Sequence, residues 1–249
     1  MISLPPSDPP AGISRREWRR RTAGASTPEN TQSSGALPGL FASAESAAAR
    51  PEDARPTILT VCTGNICRSP MAEILLRRTL EPLGVHVHSA GTQALVDYGM
   101  PQPAQDMARA LGADAGVVDA HRARYLIEPM VQRADLILTM SREHRSRAVQ
   151  MMPRSLRRVF TIREFARLAS TLSTEDARAA ADAAGDGPRE RLRAVALAVA
   201  DQRGLSEPVA DEDDVIDPYR RSQEIYEQSA AEMTPAVAEV DRIVRAALG

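Results

Sequence analysis

The chain has 249 residues and a mass of 26.9 kDa, which is enough for one α/β domain and some additional sequence. A formal net charge of -2 argues against a dedicated nucleic-acid-binding protein, and no apolar run is long enough to span a membrane. The sequence has 2 cysteines, both in one short stretch, so they form no disulfide framework. We therefore expect a reducing, cytoplasmic compartment.

Residues 1–54 are rich in proline, serine and alanine, and their apolar residues show no regular period. This composition predicts a disordered N-terminal extension. Residues 55–249 alternate strand-like and helix-like apolar patterns, which predicts one α/β domain.

The first pattern of that domain is a strand, a loop and a helix. Ile58–Val61 is apolar and β-branched, as in a buried parallel strand, and Ser69-Pro70 opens a segment with apolar residues at helical spacing. In the loop between them, five residues separate Cys62 from Arg68. Backbone N–H groups of such a loop can point inward above a helix N-terminus, so the pattern favours a bound phosphate.

The residue types in this loop indicate nucleophilic chemistry on that phosphate. We expect Cys62 to be a thiolate, because it lies at a helix N-terminus beside a cation, and Ser69 to donate a hydrogen bond to it. Arg68 offers a planar fork for two phosphate oxygens. Gly64 and Asn65 are the types that most easily take the left-handed backbone of a tight loop. The alternative is two buried cysteines in an ordinary strand-to-helix turn.

The ten residues from Val61 to Pro70 read Val-Cys-Thr-Gly-Asn-Ile-Cys-Arg-Ser-Pro. They resemble, nearly residue for residue, the phosphate-binding loop of the low-molecular-weight protein tyrosine phosphatases. The resemblance implies that Cys62 is the nucleophile and Arg68 its catalytic partner, with no metal or cofactor, since the loop itself supplies positive charge. The substrate-binding residues that it implies in this loop are Thr63, Gly64, Asn65, Ile66, Cys67 and Ser69.

Further strands are predicted at Val85–Ser89, Ala134–Met140 and Val159–Ile162, with helices between them. This order predicts a four-stranded parallel sheet wound with helices on both faces, with the ligand at the carboxyl end of the first strand. His86 and His88 alternate with apolar residues, so we expect them on the outer face rather than as metal ligands.

Ser89–Thr92 ends the second strand in a turn that resembles one wall of the family's active site. Relatives often carry an aromatic residue there, whereas residues 93–96 have none and only Tyr98 is near. The charges of residues 121–124 are expected to form a solvated face, with a second phosphate site as the alternative. Substrate preference stays open at this point.

Residues from about 170 to 210 predict Ala- and Arg-rich helices without a catalytic motif, as a helical insertion in the phosphatase domain. The acidic run at 211–214 is expected to be solvated. A final helix is predicted from Ser222 to Leu248, and Pro235 is expected to kink it or restart it with Thr234 as cap.

Asp217-Pro218 lies just before that final helix. An Asp-Pro pair alone is a common turn. Together with the phosphate-binding loop it resembles the general-acid loop of the family, which implies that Asp217 protonates the leaving oxygen and that Tyr219 contacts the substrate ring.

The resemblance therefore implies hydrolysis of phosphotyrosine on a protein substrate through a cysteinyl-phosphate. Two alternatives stay open. One is arsenate reduction completed by a low-molecular-weight thiol, since no cysteine follows Cys67 to support a thioredoxin-coupled reaction. The other is a non-catalytic phosphopeptide-binding module, although binding alone needs neither the thiol of Cys62 nor the carboxyl of Asp217.

Overall fold

The computed structural model describes residues 55–205 and 212–249. The predicted extension, residues 1–54, and the first residue of the acidic run lie outside the described residues. Among the helices that are described, none has both the length and the apolar character to cross a membrane.

The centre of the described domain is a four-stranded parallel sheet in the order β2-β1-β3-β4. This confirms the predicted α/β fold. The strands are β1 (Thr57–Cys62), β2 (His86–Gly91), β3 (Leu136–Thr139) and β4 (Val159–Thr161).

Helices cover both faces of the sheet. They are α1 (Arg68–Leu80), α2 (Gln102–Ala110), α3 (Ala115–Ala120), α4 (Glu128–Arg133), α5 (Arg142–Met151), α6 (Ile162–Ala169), α7 (Thr174–Ala183), α8 (Pro188–Asp201) and α9 (Gln223–Leu248).

The alternation of side chains along β1 divides the core into two layers. Ile58 is fully buried in the larger layer, which includes α1 and α6 to α9. Leu59 and Val61 point the other way, into a smaller layer that includes α4 and α5. Because helices pack on both faces, the ends of the parallel strands are where loops can bring functional side chains together.

The last helix differs from its prediction. It is continuous from Gln223 to Leu248 with Pro235 inside it, and the expected restart at Thr234 was wrong. The Thr234 hydroxyl instead donates to the Ala230 carbonyl at 2.8 Å. A proline removes one intrahelical hydrogen bond, and the apolar face buried along several helices offsets that loss.

The helices of the predicted insertion are tied to the sheet by a buried carboxylate. Asp135, just before β3, is fully buried and accepts from the Thr57 N–H at 2.9 Å. Arg189 and Arg193 of α8 both donate to it, at 3.0 and 2.6 Å. Helix α8 is therefore anchored at the amino-terminal edge of the sheet.

The histidines of β2 also correct a prediction. His86 is exposed as expected, but His88 is buried, and their rings stack at 5.0 Å. His88 is covered because its side of β2 lies against the segment that carries Ile127 and Met130.

Candidate active site

The predicted phosphate-binding loop occupies the carboxyl-terminal edge of the sheet. β1 ends at Cys62 and α1 begins at Arg68, and we call residues 62–69 the phosphate loop. Asn65 takes the left-handed backbone with φ of 55°. Gly64 does not, so the expectation of left-handed backbone was right for Asn65 and wrong for Gly64.

Gly91 lets the second strand approach this loop. A Cβ at position 91 would lie 2.4 Å from the Thr63 carbonyl oxygen, so any larger residue would displace the loop. The next residues then bind the loop backbone, since Thr92 donates to the Cys62 carbonyl at 2.9 Å and Gln93 to the Thr63 carbonyl at 3.0 Å.

The Cys62 sulfur is buried and lies within a set of hydrogen-bond donors. Its Sγ is 3.0 Å from the Ser69 hydroxyl, the contact that the sequence suggested, and it accepts from the Asn65 N–H at 3.3 Å. Both contacts hold the sulfur in one position at the floor of the loop.

Asn65 organises the loop from beneath. Its Nδ2 donates to Ser69 Oγ at 3.0 Å and to Ser89 Oγ at 2.7 Å. Its Oδ1 accepts from the Arg124 N–H at 3.0 Å, and its backbone carbonyl oxygen lies 2.7 Å from His121 Nε2. The expectation that residues 121–124 form only a solvated face was therefore wrong for the buried His121, which supports the loop.

A chain of hydrogen bonds runs from the carboxylate of Glu73 to the sulfur of Cys62. Ser89 donates to the buried carboxylate of Glu73 at 2.5 Å, so its oxygen can accept from Asn65. Asn65 in turn donates to Ser69, whose own hydrogen has two acceptors, the Cys62 sulfur at 3.0 Å and the Ala90 carbonyl at 3.5 Å. Glu73 thus orients the Ser69 hydroxyl through two intervening side chains.

His144 holds the opposite side of the loop, and no local sequence pattern indicated it. Its Nδ1 lies 2.8 Å from Ser141 Oγ, and its Nε2 lies 2.8 Å from Thr63 Oγ1. Burial lowers the pKa of His144 to about 4, so the ring is neutral at pH 7. A neutral ring that accepts from Ser141 at Nδ1 donates from Nε2 to Thr63.

Arg68 joins the phosphate loop to the segment before α9. The guanidinium is buried, with one nitrogen donating to the Val215 carbonyl at 3.1 Å and the other 2.7 Å from Asp217 Oδ2. Its Nε has no partner among the described residues. A phosphate in the loop would supply acceptors for this guanidinium.

Asp217 lies in what we call the acid loop, residues 213–219. Its side chain is 51% exposed, and its Oδ1 accepts from the Tyr219 N–H at 3.1 Å, which is an Asx turn. The acid loop is attached to the carboxyl end of β3. The Val215 N–H donates to the carbonyl of Met140, the residue that follows this strand, at 2.9 Å.

The acidic run that precedes Asp217 is not uniformly solvated as expected. Asp213 is buried and pairs with Arg167 at 3.0 Å. Asp214 accepts from the Arg142 N–H at 2.8 Å. These two carboxylates fix the acid loop, and unlike Asp217 neither lines the pocket over Cys62.

These groups surround a pocket of about 170 Å³ over Cys62. The predicted residues Asn65 and Ser69 lie beneath it, fully buried, whereas Tyr98 lines a different depression. The pocket over Cys62 is lined by Cys62, Thr63, Gly64, Ile66, Cys67, Arg68, Gln93, Leu95, Asp217 and Tyr219.

The second cysteine has a different environment. Burial, followed by the negative potential of Cys62, raises the pKa of Cys67 to about 12. Its Sγ lies 3.9 Å from the Tyr226 hydroxyl. Cys67 is therefore a neutral thiol at pH 7, and the two cysteines of one loop have distinct chemistry.

In the part of the chain that the structure describes, no three His, Cys, Asp or Glu side chains are grouped as a metal site. The positive groups at the pocket are Arg68 and the loop backbone above the N-terminus of α1, which together suit a tetrahedral anion.

Comparison with known proteins agrees with this geometry. The model of the family described as low molecular weight phosphotyrosine protein phosphatase matches residues 57–176, which include the phosphate loop and end before Asp217. The chain is 44% identical over 109 residues to EpsP of Ralstonia nicotianae, a probable low molecular weight protein-tyrosine-phosphatase. That match covers 43% of this chain and 71% of the relative.

A second relative is the low molecular weight protein-tyrosine-phosphatase Etp of Escherichia coli, 44% identical over 98 residues that cover 39% of this chain and 62% of Etp. The fold also matches the solved structure of YwlE arginine phosphatase from Geobacillus stearothermophilus with a TM-score of 0.52 and 25% identity. That match covers 75% of this chain and 90% of the other. This chain therefore belongs to the low-molecular-weight protein-tyrosine-phosphatase family, whose members are phosphoric monoester hydrolases.

Proposed function

We propose that this protein hydrolyses phosphotyrosine on protein substrates through a cysteinyl-phosphate intermediate. The observation that carries the proposal is the buried sulfur of Cys62, which receives hydrogen bonds from Ser69 and Asn65 beside the guanidinium of Arg68. A loop that only bound phosphate would need the arginine and the backbone amides, but not a thiolate held in this way.

In the first step, the Cys62 thiolate attacks phosphorus and the bond from phosphorus to the ester oxygen breaks. Arg68 and the N–H groups of residues 63–68 stabilise the charge on the three equatorial oxygens. Asp217, in its protonated form, gives its proton to the leaving phenolate oxygen.

In the second step, water attacks the phosphorus of the cysteinyl-phosphate. Asp217, now ionised, takes a proton from that water, and the bond from sulfur to phosphorus breaks to release phosphate and restore the thiolate. Both steps require the carboxyl of Asp217 to leave Arg68, its partner in the empty site. A bound phosphate competes for the same guanidinium and so makes the carboxyl available.

The walls of the pocket support an aryl ester as substrate. Ile66 and Leu95 contribute apolar side chains, and Tyr219 contributes a half-exposed ring. These groups can enclose a flat phenyl ring on its way to the loop. A phosphoserine side chain is shorter and offers them little apolar surface.

A second candidate is hydrolysis of phosphoarginine, because the solved structure with the matching fold is described as an arginine phosphatase. The apolar Ile66 in the loop offers no hydrogen bond to a guanidino group, which favours the phenyl ring. Arsenate reduction completed by a low-molecular-weight thiol requires the same nucleophile and is tested in the same assay.

The test compares substrates on one preparation of the full chain: a phosphotyrosine peptide, a phosphoserine peptide, a phosphoarginine peptide, and arsenate with glutathione. We expect the highest kcat/KM for phosphotyrosine, and a phosphate label on Cys62, trapped by rapid denaturation, that is absent from Cys62→Ala. A higher kcat/KM for phosphoarginine would replace the proposal by the second candidate. Reduction of arsenate without peptide turnover would overturn it.

We also propose that the enzyme acts in the cytoplasm. The reaction needs Cys62 as a free thiolate at the start of every cycle, and both Cys62 and Cys67 are free in the structure. A reducing compartment preserves that state.

A further inference from the structure

A second pocket lies on the sheet face beneath α4. Its volume is about 450 Å³, within the range of small-molecule sites. Thr57, His86 and His88 contribute to it from the amino-terminal halves of β1 and β2. Thr57 and Cys62 are at opposite ends of β1, about 16 Å apart from the rise of a strand. None of its lining residues belongs to the pocket over Cys62.

The charge of this second pocket is strongly positive. Four of its lining residues are arginines and none is a carboxylate. Arg55, Arg124 and Arg133 have no carboxylate partner within the described ranges 55–205 and 212–249. Arg189 pairs with Asp135, which it shares with Arg193 of the same helix. The side-chain hydrogen bonds of Arg55 and Arg124 go to carbonyl oxygens, which do not neutralise them.

His88 provides an independent sign that something binds there. It is only 9% exposed, and its Nδ1 is a buried polar atom without a hydrogen-bond partner in the described part of the chain. Burial lowers the pKa of His88 to about 4, so the ring is neutral at pH 7. A buried polar atom without a partner costs free energy, and because Nδ1 is itself covered, a ligand in the pocket recovers that cost only when the His88 ring turns to present it.

We propose that the pocket binds an organic phosphate of nucleotide size. The guanidinium groups of Arg55, Arg124 and Arg133 would bind its phosphates, and His88 would add a hydrogen bond. The remaining wall is apolar and fits the organic part. It is formed by Ile127, Pro129 and Met130.

The geometry also separates this pocket from a simple basic surface. Both rings of the stacked pair His86 and His88 border the pocket, so an aromatic base has imidazole surface to pack against. A site for free phosphate would need only the charges. The proposal therefore predicts that a nucleotide binds more tightly than its separate parts.

The experiment follows the imidazole signals of His88 by NMR in the full-length protein, with ADP, pyrophosphate or adenosine as the probe. The signal is assigned by its loss in His88→Gln. We expect ADP to shift it saturably and to bind more tightly than pyrophosphate or adenosine. Arg133→Glu should lower the affinity for ADP at least about tenfold, because it replaces a charge-assisted contact with the phosphates by repulsion.

Arg178→Glu is the matched control, because Arg178 is exposed on α7 and does not line the pocket. Both variants should hydrolyse an aryl phosphate as the unmodified protein does, which shows that the fold and the phosphate loop are intact. The proposal is overturned if no probe shifts His88, if the two variants weaken ADP equally, or if pyrophosphate binds as tightly as ADP.

Discussion

The phosphate loop and the acid loop meet at Arg68, but different forces hold them. The phosphate loop is fixed by buried hydrogen bonds centred on Asn65, which is fully buried. The acid loop is fixed by arginine ion pairs nearer the surface, such as Arg167 with Asp213, and Asp217 itself is half exposed.

This difference fits the work that each loop has to do. The nucleophile must meet phosphorus in line, so a geometry fixed before binding lowers the barrier. The acid must leave Arg68, approach the leaving oxygen and later accept a proton from water. A loop held by partly exposed charges can make that adjustment without breaking the core.

The strongest test of the phosphate loop is Cys62→Ser. The variant keeps the loop backbone but loses the ionised nucleophile, so turnover of phosphotyrosine should fall at least about 10³-fold. Binding of phosphate, measured by calorimetry, should persist. Turnover above a few per cent of the original would contradict the covalent mechanism.

For the acid loop, Asp217→Asn removes the proton donor. We expect phosphotyrosine hydrolysis to fall about 10²-fold to 10³-fold, because a basic phenolate leaves poorly without a proton. An activated nitrophenyl ester should be slowed at least about tenfold less, since its leaving group is stable as the anion. Parallel plots of log rate against leaving-group pKa for both proteins would show that Asp217 is only a turn residue.

Asn65 tests whether the buried network or the backbone shape holds the phosphate loop. Asn65→Gly keeps easy access to the left-handed backbone and removes the side-chain hydrogen bonds, whereas Asn65→Ala loses both. We expect kcat to fall up to about 10²-fold in each, because Ser69 is no longer oriented. Normal kcat in Asn65→Gly would mean that backbone shape alone is sufficient.

Asp213→Asn probes the ion pairs of the acid loop. It breaks the pair with Arg167 and should lower kcat about twofold to fivefold, the scale of a partly exposed pair. Added salt should slow the original protein toward the variant and leave the variant nearly unchanged. If salt affects the two proteins equally, this pair does not position the acid.

The last prediction concerns stability against acid rather than rate. The pKa of buried His144 is lowered to about 4 from an unfolded value of 6.5, so the unfolded chain binds more protons between these pH values. Stability should therefore decrease as pH falls from 6.5 to 4, by about 1.4 kcal/mol per unit for this group. His144→Gln should reduce that slope in denaturant titrations, and an unchanged slope would contradict the neutral ring.

The sequence was enough to predict the phosphate loop because its parts are close along the chain. Cys62, Arg68 and Ser69 lie within one strand-loop-helix unit, and that order alone brings them together. The four strands were equally predictable, because their apolar runs reflect burial on both faces of the sheet.

The supports of the site were not predictable in this way. Ser89, His121 and His144 reach the loop from positions far along the chain, and no local pattern marks an isolated histidine as a loop support. The arginine that pairs with Asp213 was also not predictable, because the sequence contains 31 arginines and none is marked by its neighbours. The restart at Thr234, one of the two outcomes expected of Pro235, did not occur because helix packing outweighed a local propensity.

The anchoring of α8 by Asp135 has a consequence for engineering a smaller enzyme. A shortened chain without α7 and α8 would lose Arg189 and Arg193, and would leave a fully buried carboxylate with the Thr57 N–H as its remaining described contact. An uncompensated buried charge costs about 3–5 kcal/mol. A minimal version of this domain therefore has to carry Asp135→Asn, which keeps the acceptor for Thr57 without the charge.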